Sequence, residues 1–207
     1  MPIRNLNGAV SVRAALAKPV ASQIGGHLAL DFCNTAGEHL AARPDEMLLE
    51  WESFVRWAVQ AGLIGPETYL ELLRHPAPID KIVRLREAVY RVGLAIARSD
   101  RVPERDLLAI RKQANASKPA IINSRDGLRW RPDPSRASVQ LRAILAGDAL
   151  SLFCSPQSSR IGICEGGKCG WLFLDESRGK RRRWCDMKDC GNRAKALRHY
   201  QQQRKSK

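Results

Sequence analysis

The chain lacks any apolar run long enough to cross a bilayer: even Val89–Ala97 is interrupted by Arg91, and a helical span needs roughly 20 such residues. A soluble protein is expected. A secretory leader is also missing, because Met1 to Ala21 carries Arg4, Arg13 and Lys18 without a continuous apolar core. The expected compartment is therefore a reducing cytoplasm, where thiols bind metal or stay free. No internal repeat marks a solenoid. Acidic residues are scarce, 21 against 35 lysines and arginines, which leaves a net charge of +14 and favours anionic partners. Catalytic grouping is missing too. His27, Asp31, Glu38 and His39 are close in sequence, but their spacing puts no nucleophile beside a base, so the chain reads as a non-enzyme.

Six cysteines are present, and four of them, Cys164, Cys169, Cys185 and Cys190, follow a C-x4-C-x15-C-x4-C pattern. Two thiol pairs joined by a 15-residue insert can close a tetrahedral site for one zinc ion. The alternative is a pair of disulfides, which the expected compartment disfavours. Cys33, within an apolar run, reads as a small core residue, and Cys154 as a spare. The same C-terminal region holds most of the positive charge: twelve basic residues face only Asp186 and Asp189 between Arg178 and Lys207. A metal-held scaffold presenting such a surface suits a nucleic acid.

The chain divides into a flexible start at 1–22, a main domain at 23–154, a hinge at 155–160 around Pro156, and the cysteine module at 161–207. The fold class is α+β: a mostly helical N-terminal domain with a small hairpin, then a treble-clef-like finger. Gly25–Thr35 reads as a strand or buried turn entry. Helices are expected from Trp51 to a stop at Gly62, from Pro66, from Asp80 as N-cap to Arg98, from Pro103 to Ala116, and from Ser138 to Phe153. Residues 121–123 and 128–131 form a hairpin through an Asp126-Gly127 turn. In the module, Trp171–Leu174 is extended, Arg181–Trp184 is its returning strand, and Asn192 caps a final helix ending near Gln203.

In that helix Ala194, Leu197 and Tyr200 would face inward, leaving Arg193, Lys195, Arg198, His199 and Gln202 for a partner. Arg181, Arg182 and Arg183 most simply bind phosphate, and Lys188 and Asn192 complete the candidate contact set. His199 lies too far along the helix to ligate zinc. Trp171 and Trp184 read as a miniature core in preference to stacking platforms. A protein-binding adaptor would need Trp171 and Phe173 exposed. Asp31, Asn34 and Thr35 are candidates for a small-ligand pocket, although capping and turn formation account for them equally.

Cys169-Gly-Trp-Leu-Phe-Leu-Asp175, Arg182-Arg183-Trp184-Cys185 and Cys190-Gly-Asn-Arg193 together resemble the CGNR zinc finger. Gly25–Thr35 with Phe54–Ala58 and Ala61–Ile64 resembles the ABATE domain. The resemblance implies a bacterial stress-induced transcription regulator whose finger binds DNA and whose N-terminal domain senses or interacts. It assigns Cys164, Cys169, Cys185 and Cys190 to zinc. RNA or the ribosome is the alternative partner, since the same charges serve structured RNA. The sequence also allows a homodimer and a small-molecule effector at the N-terminal domain.

Overall fold

The structure, a computed structural model, describes residues 14–117, 119–124 and 127–205. Residues 1–13 of the expected flexible start, and Arg125 and Asp126 of the hairpin turn, lie outside the described residues. The rest of that start is held down. Gln60 donates to the carbonyls of Leu16 and Lys18 at 3.0 and 2.9 Å and accepts the Val20 N–H at 2.9 Å, while Ala21 is buried.

The Gly25–Thr35 segment is a helix, α1 (Leu28–Cys33), capped by His27, whose Nδ1 accepts the Ala29 N–H at 3.3 Å. The strand expectation fails for a physical reason: α1 packs against two later helices and is only six residues long, with Asp31 its single polar residue, so its apolar run carries no period that separates helix from strand. β1 (Ala36–Gly37) pairs antiparallel with β2 (Asp45–Glu46). α2 (Trp51–Gln60) opens on a Glu50–Ser53 capping box, and Gly62 follows it with φ +70°, the left-handed turn expected there. α3 (Pro66–Leu73) starts on its proline and is tied to α2 by the Trp51 indole, which donates to the Leu72 carbonyl at 2.9 Å.

α4 (Asp80–Arg98) places Ile79 at the cap and Asp80 just inside the helix, a shift of one residue from expectation. α5 (Glu104–Ala114) follows, then the hairpin of β3 (Ala120–Ser124) with β4 (Gly127–Arg131), in which Ser124 pairs with Gly127. α6 (Ala137–Phe153) is the central helix: Leu141, Leu145, Ala146, Ala149 and Leu152 are buried against α1, α4 and α5, as a helix without a polar stripe must be. Phe32, Phe54 and Trp57 are fully buried and pack with ring centroids 5.4 and 6.1 Å apart.

The segment expected as a hinge is a short 3-10 turn, Pro156–Arg160, packed on α4 and α6. β5 (Ile161–Ile163) and β6 (Leu172–Leu174) then form an antiparallel pair, and Ile161, Leu172 and Leu174 join the main hydrophobic core. The cysteine module therefore shares that core. A π-turn (Met187–Gly191) and α7 (Asn192–Lys205) end the described chain.

One buried charge cluster braces this arrangement. Arg86, 3% exposed, donates to Glu46 at 2.6 and 2.7 Å and to Glu87 at 2.8 Å, and His39 Nε2 lies 3.6 Å from the same Glu87 carboxylate. Burial pushes the Glu87 carboxyl up, but His39 and Arg86 outweigh it and hold it down to about 2. Its contribution to stability is thus complete above pH ~4.5 and is lost as pH falls toward 2. Glu87→Gln should cost on the order of 1 kcal/mol at neutral pH, the full linkage being reduced because the carboxylate is a third exposed. Urea titrations should show the gap between variant and parent closing below pH 4; a gap that persists there would remove the ionic explanation.

Candidate metal centre and nucleic-acid interface

The first cysteine pair sits at the tip of the β5–β6 hairpin, with Cys164 leaving β5 and Cys169 preceding β6. The predicted hairpin of Trp171–Leu174 with Arg181–Trp184 is not formed; β6 pairs with β5, and Arg181–Trp184 is irregular. The backbone explains the choice. Asp175, buried, accepts the N–H groups of Ser177 and Arg182 at 2.8 and 2.9 Å and closes the 175–182 loop on itself, which removes those groups from any strand ladder.

Gly166 is a requirement of the first loop, since a Cβ there would lie 2.8 Å from Cys190 Sγ and 3.2 Å from Cys164 Sγ. The second pair is set by a π-turn that Asp186 organises: its carboxylate accepts the Lys188 N–H at 2.8 Å and its carbonyl accepts the Gly191 N–H at 3.0 Å. All four sulfurs are buried and lie within 4.8 Å of one another. Cys169–Cys185 and Cys185–Cys190 are each 3.7 Å apart. A tetrahedron of sulfurs about 2.3 Å from a zinc ion has edges of ~3.8 Å, so the donor set fits that metal. It does not fit disulfides, whose sulfurs approach to about 2.05 Å. Crowding also separates the thiols electrostatically: Cys164 is held well below the usual thiol range by hydrogen bonds from Cys169 and Cys185, and those two are pushed up by the same contacts. Four thiolates this close demand a cation. Cys33, by contrast, is pushed up by burial and is an inert core thiol.

The final tetrapeptide has a physical role at each end. Asn192 does not cap α7 from outside; it lies in helical backbone and donates Nδ2 to the Lys188 carbonyl at 2.9 Å. Arg193 donates to Cys190 Sγ at 3.1 Å and pairs with Asp189 at 3.3 Å, so it supports a metal-facing sulfur before it can serve a partner.

Of the three adjacent arginines, Arg182 is withdrawn from the expected phosphate role. It donates to the carbonyls of Ile24, Leu174, Trp184 and Cys185, and its guanidinium lies 4.4 Å from the Phe173 ring centroid. Arg183 is exposed, paired with Glu165, and 5.2 Å from the Trp184 ring; Arg181 is exposed. Arg182→Ala should therefore cost about 3 kcal/mol in stability through four orphaned contacts, whereas Arg183→Ala should leave stability almost unchanged, its ion pair being exposed. Thermal melting of the two variants decides this; equal losses would contradict the division.

Arg181, Arg183, Trp184, Met187 and Lys188 line a groove of about 710 Å³ beside the finger. Trp184 is only half-buried there, so the miniature-core expectation holds for it in part. α7 differs more. Of the three residues expected to face inward, Ala194 is half-buried but Leu197 and Tyr200 are both 58% exposed, and the helix packs chiefly on its own preceding turn, so among the described residues the expected inward face is not formed beyond its first turn. Lys195 and Arg198 are exposed on it.

The small-ligand candidates are engaged in internal hydrogen bonds. Asn34, fully buried, donates to the Leu172 carbonyl at 2.8 Å and accepts the Leu172 N–H at 3.0 Å; Thr35, also buried, donates to the Phe32 carbonyl at 2.7 Å. Asp31 accepts the Gly25 N–H at 2.8 Å. The Asn34 contacts dock the finger, while those of Thr35 and Asp31 are local. Around them, Trp171 donates to the Ala36 carbonyl at 2.7 Å and Tyr90 to the Gly170 carbonyl at 2.9 Å. Gly170, with φ +65°, admits Leu40 where a Cβ would come within 2.6 Å. Phe173 is 1% exposed, so the apolar patch an adaptor needs is not presented. No sequence pattern announced these docking residues, because each acts through a partner far along the chain.

Residues 26–156 match the ABATE family model, described as "Putative stress-induced transcription regulator". Residues 160–203 match the model of the CGNR zinc finger. The chain has no match among curated proteins. With the four-cysteine cluster, the finger match identifies one zinc ion as the cofactor. Among the described residues no helix is long and apolar enough to cross a membrane.

Proposed function

The chain belongs to the ABATE family and ends in a CGNR zinc finger, and we propose that this zinc-binding regulator acts by binding DNA through that finger. Cys164, Cys169, Cys185 and Cys190 hold the zinc, which when bound supplies the charge that gathers four thiolates and the cross-link that sets the finger's shape. Four sulfur ligands leave no open position for water, which is the reasoning against catalysis at this site.

The single observation that carries DNA binding is the free-standing cationic α7 beside the basic groove. Its residues from Lys195 to Arg204 are exposed, so the helix has room to enter a major groove about 12 Å wide. Arg181, Arg183 and Lys188 flank it as phosphate contacts, Lys195 and Arg198 extend the set, and exposed Leu197 and Tyr200 offer apolar contact to base methyls or sugars.

Selection from random duplex DNA by the zinc-loaded chain, beside a parallel RNA pool, tests the reading. An enriched DNA motif is the expected result, with a log–log salt slope near −4.5 for about five phosphate contacts. Lys195→Ala and Arg198→Ala should each flatten that slope by about one. Enrichment of structured RNA alone would transfer the finger to RNA, and a flat salt response would dismiss phosphate binding.

A further inference from the structure

The N-terminal domain carries a second cationic site, lined by no residue of the finger. Lys81 and Arg84 lie one turn apart on α4, with Leu85 beside them; Lys112 and Gln113 face them from α5; and Arg142 closes the space from α6. Together they line a cleft of about 500 Å³ with no carboxylate in its wall, a volume suited to a small molecule.

Arg142 is the unusual member. It is 7% exposed, yet its hydrogen-bond partners are neutral: Nε donates to the Ser138 carbonyl at 3.0 Å and Nη1 to Gln113 Oε1. Among the described residues no acidic side chain pairs with it. A buried arginine is ordinarily paired with an anion, because an uncompensated buried charge is strongly unfavourable. Burial and the neighbouring Arg84 both press its guanidinium toward the neutral form, with only Asp80 opposing. Asp80 is itself committed to Arg84 at the exposed rim. The site thus has four cations, one carboxylate at its edge, and an apolar floor.

We propose that this cleft binds a small polyanion of the diphosphate class, with Arg142 as the deep contact and Lys81, Arg84 and Lys112 closing around the outer oxygens. The missing counter-charge of Arg142 is what the ligand supplies. Guanidinium and ammonium donors make charge-assisted bonds to phosphate oxygens, and the planar Arg142 fork is suited to hold two of them. The apolar floor leaves room for an organic portion. This inference does not depend on what the finger binds.

The test is calorimetric titration of inorganic pyrophosphate into the full, zinc-loaded chain, with zinc content measured before and after. One saturable site per chain is expected. Lys112→Ala should weaken it about tenfold, the loss of one charge-assisted bond, and Lys81→Ala with Lys112→Ala by about a hundredfold. Both lysines are exposed, so these variants fold even if Arg142→Gln does not. Arg181→Ala with Arg183→Ala, which strips the finger groove, should leave pyrophosphate affinity unchanged within about twofold. Absence of saturable binding, or binding that survives the lysine changes and vanishes with the finger changes, would overturn the proposal.

Discussion

Removing zinc with a strong chelator should lower the melting temperature of the whole chain instead of erasing a separate finger transition. The finger's β5 and β6 contribute Ile161, Leu172 and Leu174 to the core that also holds Phe32, Phe54 and Trp57. Four thiols within 4.8 Å of one another are a strained neighbour once no cation offsets their charge. Structural zinc contributes an apparent ~10–16 kcal/mol in small finger peptides, comparable with the ~5–15 kcal/mol that stabilises an entire domain. Circular dichroism melts with and without chelator, and of Cys190→Ser, measure it. A single transition displaced downward is expected in both cases. An N-terminal transition that stays in place while finger signal disappears would show that the two parts are energetically separate.

Asn34→Ala should be the most damaging single substitution outside the cysteines. Its side-chain amide holds both backbone groups of Leu172, 138 residues away, and all these atoms are buried. Truncation orphans one donor and one acceptor, each at ~1–3 kcal/mol, for a loss of about 4 kcal/mol. In a chain of this length that corresponds to a melting temperature lower by on the order of 10 °C. Asn34→Asp should also destabilise, because a carboxylate can accept the Leu172 N–H but repels its carbonyl. A decrease of under about 2 °C for either variant would mean that water or a shifted neighbour satisfies β6 instead.

Much of the candidate site was legible because its determinants are local. Four cysteines at fixed spacing need only short loops to converge, and the surplus of arginine and lysine after Arg178 is a property of composition. The long amphipathic helix from Asp80 to Arg98 was readable from its apolar period, and Gly62 and Pro66 marked helix ends through backbone preferences that belong to those residues alone. By contrast, α1 had no period to read.

The roles of individual charged and polar residues were not legible, and Arg182 and Arg183 show why. They are adjacent and chemically identical, yet one is consumed by four carbonyls and the other faces solvent. Nothing local distinguishes them; the Asp175 loop and the approach of Ile24 do. The sequence by itself determined the metal donors, most helices and the cationic C-terminus, since these follow from spacing, period and composition. Only the tertiary structure decided that Asn34 docks the finger, that α7 forms no inward face beyond its first turn, and that Lys81, Lys112 and Arg142 meet, because those outcomes depend on which distant surfaces fold together.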